Sequence, residues 1–532
     1  MIHILRLSSY NRLTTTVLPK MQPITHKTTA RMEAGDNYYS EAILKLNSLQ
    51  TNAKNVKMLQ ANPRANDKSL PEMRTFFERL GHKVEVLNSL NAIHISGSKG
   101  KGSTCAFSES ILRCNGYRTG LYTSPHLVEV RERVRIDGKP LSKQAFTDRF
   151  NECWTMLQAN KTDELQMPSY FRFMTLLAFH TFLIEKVDVS IIEVGIGGMY
   201  DPTNIIEKPV VCAVSSLGID HVRMLGDTLP EIALHKAGIF KPHVPAFTTA
   251  QPAEALAVLV DYANRQKALL TLAPTLEAYP TAEPIQLGLS GKFQSCNAAL
   301  ALQATNQWRR WRETGSVPEY IPIDSLSTSD PVPLSPETIT GLRACVWPGR
   351  AMVLERPEQN STYYLDGAHT VESIQCAAEW MGTVLETDDH RSRRVLVFNC
   401  MDRIVSDLLA PLLALHKDTP FDHVLFCPNI TSDTARHADS ISYNKSESDQ
   451  TLAPIRNATT WQELCDAAGV EVSADHHVGG KAKVQTFSSI ENVKNWVEKV
   501  GRDNGAIHTQ VFVTGSLHLV GGMLSNLNWE TQ

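Results

Sequence analysis

The chain carries no surplus of either charge. Its 52 lysines and arginines nearly cancel its 56 aspartates and glutamates, so there is no polycationic surplus to meet a phosphate backbone, which argues against nucleic acid as the main partner. Paired cysteine spacings are missing too. Ten cysteines are scattered singly, which indicates neither a zinc cluster nor a disulfide framework; they read as reduced thiols of a cytosolic or matrix compartment. No apolar run approaches the length of a transmembrane helix, and no internal repeat is present. Acid is absent from Met1 to Met32, where Arg6, Arg12, Lys20, Lys27 and Arg31 stand among many Ser and Thr residues. That is the composition of a mitochondrial transit peptide, a disordered tail being the alternative. Met21 and Met32 offer later starts that remove most or all of it.

What is present is ample. At 532 residues the chain exceeds what one hydrophobic core serves, so two domains are expected. Folded character is expected from near Tyr38, with a helix over Glu41 to Leu49. Strand-like runs at Leu121 to Thr123, Val187 to Val194, Val210 to Ser215 and Ala246 to Thr249 alternate with helical runs at Tyr170 to Glu185, Leu229 to Ala237, Ala253 to Gln266 and Asn297 to Trp311. Asp137-Gly138 predicts a hairpin turn. Glu313 to Pro336 reads as a surface excursion, followed by a helix at Pro336 to Ala344. A second alternating block begins near Trp347, with strands at Thr362 to Leu365, Arg394 to Phe398, His423 to Cys427 and Gln510 to Val513 and helices at Val371 to Leu385 and Ser489 to Val500. Asp433 to Pro454 is polar and predicts a loop. The class is α/β: after a leader at 1–32, one alternating block over 33–346 and a smaller Rossmann-like one over 347–532.

The most informative stretch is Gly97-Ser98-Lys99-Gly100-Lys101-Gly102-Ser103-Thr104. It lies between the apolar run Ala92 to Ile95 and a helical pattern with Phe107, Ile111 and Cys114 on one face. A strand, a glycine-rich turn and a helix in that order form a phosphate cradle: backbone N–H groups and the helix dipole meet the oxygens, and a lysine reaches the outer phosphates. The loop departs from the usual P-loop because Gly102, not Ser or Thr, follows Lys101.

Other strand ends carry chemistry as well. Ser124 follows Leu121-Tyr122-Thr123, on the ligand side of an open sheet. Glu193 ends the buried run Val189-Ser190-Ile191-Ile192, where a carboxylate is costly unless a cation meets it; beside a P-loop that cation is magnesium. His221 lies just past a third strand. Thr228-Leu229-Pro230-Glu231 is a capping box opening a helix that carries Lys236, whose simplest reading is a helix-end lysine. Asn297 suits either an adenine edge or a helix cap. In the second block Arg350 follows Trp347-Pro348-Gly349, where a guanidinium can fork onto phosphate. Asp366 and His369 lie in DGAHT, and Ser516 in TGSLHLVGG.

These motifs, GSKGKGST, TSPHL with the following VRERVRI, EVGIGG with DPTN, DHVRMLGDT, WPGR, DGAHT and TGSLHLVGG, run in one order from Ala92 to Gly522. The chain resembles the folylpolyglutamate synthases of the Mur ligase superfamily, eukaryotic type. Ser98 stands where the family usually has Thr, and Met401 stands where it often has Gly before the Asp402-Arg403 pair. The resemblance implies a P-loop mononucleotide-binding domain over 33–346, a site between it and the second domain, and an ATP-dependent ligase joining L-glutamate to folate through an acyl phosphate. It implies that residues 97–104, Asn297, Arg350 and Asp366 bind ATP. Ser124, Glu193 and His221 would hold magnesium, as one or two ions, and a monovalent cation is compatible. Lys101, Lys236, His369 and Ser516 would serve the reaction, with Lys236 carbamylated in some relatives. It further implies a monomer, in the mitochondrial matrix, with inner-membrane association left open, and in the cytoplasm through alternative starts. Dihydrofolate synthase, a P-loop kinase or switch, and a non-catalytic nucleotide-binding protein remain as rivals.

Overall fold

The computed structural model describes residues 27–50, 68–281, 284–322, 326–386, 392–401, 404–433, 447–473, 482–503 and 507–530. Two sheets organise them. The first contains β1 (Ile93–Ser96), β2 (Thr119–Tyr122), β3 (Val134–Ile136), β4 (Lys139–Pro140), β5 (Val189–Glu193), β6 (Val211–Val214), β7 (Pro245–Thr248) and β8 (Leu269–Leu272), in the order β4-β3-β2-β5-β1-β6-β7-β8. Only the β2–β3 and β3–β4 pairings are antiparallel. The second contains β9 (Met352–Arg356), β10 (Ser361–Leu365), β11 (Arg393–Phe398), β12 (His423–Phe426), β13 (Val472–Ser473), β14 (Ala482–Thr486) and β15 (Thr509–Thr514), in the order β13-β14-β12-β11-β15-β10-β9. There only β9–β10 is antiparallel.

Both sheets are covered on both faces, which is why their strands read as continuous apolar runs. Ile93, Leu121, Val189 and Ile191 pack on one side of the first sheet against helices α3 (Lys101–Cys114) and α9 (Gln294–Thr314). On the opposite side Tyr122 and Ile192 join the cluster of α1 (Lys27–Asn47), α2 (Ser69–Arg79), α4 (Lys143–Ala159) and α5 (Tyr170–Glu185). Farther along, Cys212 and Val214 meet α7 (Leu229–Ala237), which follows the short α6 (Val222–Leu225), and α8 (Ala253–Gln266). Helix α10 (Pro336–Ala344) closes over α3, its Gly341 leaving no room for a Cβ beside the Ile111 backbone. In the second sheet Leu396, Phe398, Val424 and Phe512 face α11 (Val371–Glu386), α12 (Val405–Asp418) and α13 (Glu447–Ala467). Val395, Val397, Val511 and Val513 face α14 (Ile490–Asp503) and α15 (Leu517–Asn526).

Most expected elements stand within a residue or two of their predicted places, and Asp137-Gly138 forms the β3–β4 turn with both residues at positive φ. Two expectations change. The first helix is longer than Glu41 to Leu49, running from Lys27. The segment Asp433 to Pro454 is not all loop: α13 begins at Glu447 and holds Pro454 inside it. Ala453, Asn457, Trp461 and Cys465, four apart, are all buried along its inner face. Of the expected leader at 1–32, residues 1–26 lie outside the described residues, as does the Asp402-Arg403 pair, while 27–32 open α1.

Candidate active site

The phosphate-cradle sequence occupies the turn from β1 into α3. Gly97 has φ +144, and a Cβ there would lie 2.0 Å from Ser215 Oγ. Gly100 has φ +85, and its Cβ would lie 2.0 Å from Asn297 Oδ1. Both positions therefore require glycine. Ser98 and Lys99 both donate their N–H groups to Ser216 O at 3.0 Å, and Ser98 Oγ donates to Gly218 O at 2.8 Å. The turn is thus sewn to the loop after β6. Lys101 Nζ donates to Gly97 O at 3.0 Å. Thr104 Oγ1, in the first turn of α3, is buried and has no hydrogen-bond partner among the described residues.

The strand registry places the other groups. Ile95 is level with Glu193 and Ser96 with Val214, so β1, β5 and β6 deliver Gly97, Glu193 and Ser215 to one edge. Glu193 is buried, and its Oε2 accepts the Ser124 N–H at 2.9 Å. Burial pushes the Glu193 carboxyl up from its ordinary range, while Lys101, the Ser124 N–H, Arg350 and Arg133 pull it back. His221 caps α6 from the left-handed region at φ 47, with its ring exposed. Lys236 is no surface lysine. It is buried, and its Nζ donates to Gly97 O at 2.8 Å and Asp220 Oδ2 at 3.4 Å. Asn297 is not the cap of α9, which Phe293 provides; it lies in the first turn and donates to Gln294 Oε1 at 2.8 Å.

Across from these groups stands the second sheet. Asp366 ends β10, and its carboxylate accepts Ala351 N–H at 2.7 Å and Ala368 N–H at 2.9 Å. Burial raises its pKa and Arg350 opposes the rise. The Gly367 N–H donates to Gly349 O at 3.0 Å, tying the Arg350 segment to this strand end. His369 Nδ1 meets Gly367 O at 2.9 Å. Ser516 caps α15, its Oγ accepting the His518 N–H at 3.2 Å. Since Leu365 is level with Val513, His369 and Ser516 follow neighbouring strand ends.

Between the sheets lies a cleft. Of the expected site residues, Gly102, Ser124, Glu193 and Arg350 line it, with Glu132, Arg135, Trp347 and Leu517. Lys101 and the rest of the phosphate turn, with His221, Lys236, Asn297, Asp366, His369 and Ser516, stand outside that lining. Arg135 stacks on the Trp347 ring at 5.2 Å. The donor set fits magnesium: a buried carboxylate and a hydroxyl-bearing residue, Glu193 and Ser124, meet beside the phosphate turn, and hard oxygens suit a hard cation. Among the described residues no group of three His, Cys, Asp or Glu side chains gathers that could hold a metal ion. Glu132, Arg133 and Asp220 lie inside VRERVRI and DHVRMLGDT, but the sequence assigned them no role.

Relatives decide the family. The folylpolyglutamate synthase of Cricetulus griseus mitochondria is 41% identical over 553 residues, covering 92% of both chains. The human mitochondrial enzyme is 40% identical with the same coverage. The chain belongs to the folylpolyglutamate synthase family. A Saccharomyces cerevisiae folylpolyglutamate synthase, 38% identical over 91% of this chain and 86% of its own, extends the relation. Solved structures share the fold. The Mycobacterium tuberculosis folylpolyglutamate synthase, complexed with ADP and AMPPCP, aligns with TM-score 0.64 at 22% identity over 88% of this chain and 100% of its own. The Thermotoga maritima enzyme aligns with TM-score 0.62 at 23% identity over 87% of this chain and 94% of its own. No family model matches the chain. Membership of a ligase family accounts for a phosphate turn facing a second α/β sheet across a cleft.

Proposed function

We propose that this chain joins L-glutamate to the γ-carboxylate of folates already carrying a glutamyl unit, consuming ATP and releasing ADP and phosphate. The observation that carries the reading is the cleft itself, where Glu193, Ser124 and Gly102 beside the phosphate turn face Arg350 from the second sheet. The family supports the acceptor and the amine, and its structural relatives support ATP.

The folate γ-carboxylate attacks the γ-phosphorus of ATP, a P–O bond forms, and ADP leaves. Lys101 and the N-terminus of α3 offset charge spreading over the transferring group. Arg350, Asp366 and Asn297 hold the nucleotide. Glu193 and Ser124 would hold magnesium beside the phosphate turn, with His221 as a third ligand from outside the cleft lining, and the ion would supply further charge neutralisation at the phosphates. The glutamate amine then attacks the acyl carbonyl near His369 and Ser516, and phosphate departs. Two units, 33–346 and 347–532, serve this chemistry because an acyl phosphate must be kept from water until the amine arrives. The enzyme acts as a monomer in the mitochondrial matrix, and from later starts in the cytoplasm; among the described residues no helix is long and apolar enough to cross a membrane. ADP release measured with candidate pterins, each with and without glutamate, tests the reading. Release that needs both a folate and glutamate is expected; release indifferent to glutamate would favour a kinase.

A further inference from the structure

A single carboxylate holds the chain segment that bridges the two sheets. Glu132 is buried, 6% exposed. Its Oε2 accepts Leu127 N–H at 2.9 Å, and its Oε1 accepts Val128 N–H at 2.9 Å and Glu129 N–H at 2.7 Å. The last of these completes the reciprocal cap of the 3₁₀ turn Val130–Arg133. The other two go beyond what a cap requires. They fix the backbone of residues 127 and 128 from inside.

The clamped residues reach across the cleft. Leu127 and Val128 pack against the core of the second sheet. A Cβ on Gly521, in α15, would lie 1.9 Å from Leu127 O. A Cβ on Gly349, which has φ +75, would lie 3.1 Å from both Leu127 methyl carbons. Gly349 directly precedes Arg350, and α15 begins directly after Ser516. Three residues before Leu127 stands Ser124, whose N–H is on Glu193 Oε2. A short continuous path therefore joins Glu193 to the Arg350 side of the cleft, and Glu132 anchors its middle.

We propose that Glu132 is a positioning residue for the ligation: it sets residues 127–129 so that the two sides of the cleft stand in register. The proposal rests on the ligase reading of the cleft. Charge and length both matter to it. Glutamine would turn an NH₂ toward at least one of three N–H donors, and aspartate would fall a methylene short of all three.

Steady-state kinetics on Glu132→Gln, Gly521→Ala and the double variant test this, together with hydrogen exchange. Misplacement across the cleft should lower kcat about 100-fold in Glu132→Gln, with KM for ATP and glutamate little changed, because the register matters most in the transition state. Gly521→Ala should show a similar kcat loss. The double variant should be no worse than the poorer single one, since both break the same path. Amides 127–129 should exchange faster in Glu132→Gln while amides 98–104 do not. A normal kcat in Glu132→Gln, or multiplying losses in the double variant, overturns the proposal. If Glu132→Gln fails to fold, Glu132→Asp serves: a kcat loss of about 100-fold or more supports the clamp, and a rate near wild type refutes it. Should the wild-type chain ligate no glutamate, the ligase reading fails. Exchange at amides 127–129 still decides whether Glu132 clamps the run.

Discussion

Lys101 and Lys236 donate to one acceptor, the Gly97 carbonyl oxygen, at 3.0 Å and 2.8 Å. Two ammonium groups on one oxygen repel, and the buried one yields. Burial first, then Lys101, pushes Lys236 down to about 7, with Asp220 opposing. The unfolded chain keeps that proton up to the ordinary lysine range near 10.5. Between those values the unfolded state binds more protons than the folded one, so stability climbs as pH rises through this window. Below pH 7 both states are protonated and the contribution is flat. Thermal midpoints of the nucleotide-free protein should therefore rise from pH 7 to pH 9 more steeply than those of Lys236→Met. Parallel slopes would show that Lys236 is not the titrating group.

Lys101 itself sits at the mouth of the phosphate turn, half-buried and, among the described residues, hydrogen-bonded to its own loop. Lys101→Ala removes no packed core atom. Turnover should fall by at least about 100-fold, the scale of one lost charge-stabilising donor, while the unfolding midpoint moves little. A folded Lys101→Ala protein with near-normal turnover would remove Lys101 from the phosphate role.

How much of this was legible depended on which interactions are local. The turn at Gly97 to Thr104 and the strand ends at Glu193 and Asp366 were readable, because glycine spacing and a carboxylate closing an apolar run are visible within a few residues. Helices α7 and α8 were bounded correctly by a capping box and by an apolar face. Helix α13 was obscured because Pro454 and a polar surface hid the four-residue spacing of Ala453, Asn457, Trp461 and Cys465. The burial of Lys236 and the role of Glu132 were not legible. The first depends on Asp220 and Gly97 from distant strand ends, and the second on glycines near positions 349 and 521.

Glu193 separates stability from activity. Its carboxylate is buried and accepts the Ser124 N–H, and burial raises its pKa above the ordinary value. A raised carboxylate pKa costs stability as pH rises past the ordinary range, because the unfolded chain releases the proton first. Glu193→Gln retains an acceptor for the Ser124 N–H and removes the buried charge. The ligand-free variant should unfold at a temperature equal to or above wild type at pH 7, yet lose magnesium-dependent turnover. A lower midpoint together with an unchanged magnesium requirement would contradict both halves of this expectation.

The acid-free leader makes a cellular prediction. The helix α1 buries Tyr39, Ala42, Ile43 and Leu46 in the first core, all beyond Met32. A chain starting at Met32 should keep that packing and its turnover while losing mitochondrial import. Fractionation of cells expressing the two forms checks this, and equal import of the shorter chain would remove the leader from targeting.

The acceptor is the most consequential prediction, since the cleft indicates amide ligation more firmly than it indicates which carboxylate is activated. An acyl phosphate forms productively only when that carboxylate stands in line with the ATP γ-phosphorus at near-attack distance. A folate already bearing glutamate places its γ-carboxylate one glutamyl unit farther along the cleft than a pteroate places its own. A phosphorus held at Lys101, Glu193 and Arg350 beyond the reach of a pteroate carboxylate excludes the shorter acid and not the longer ones. Tetrahydrofolate monoglutamate should therefore stimulate ADP release when glutamate is added, and mass spectrometry should find products heavier by successive glutamyl units. Dihydropteroate should give little of either. Robust glutamylation of dihydropteroate with no extension of tetrahydrofolate would assign the chain to dihydrofolate synthesis. It would also mean that the carboxylate is presented nearer the pterin end of the cleft than the γ-carboxylate reading places it.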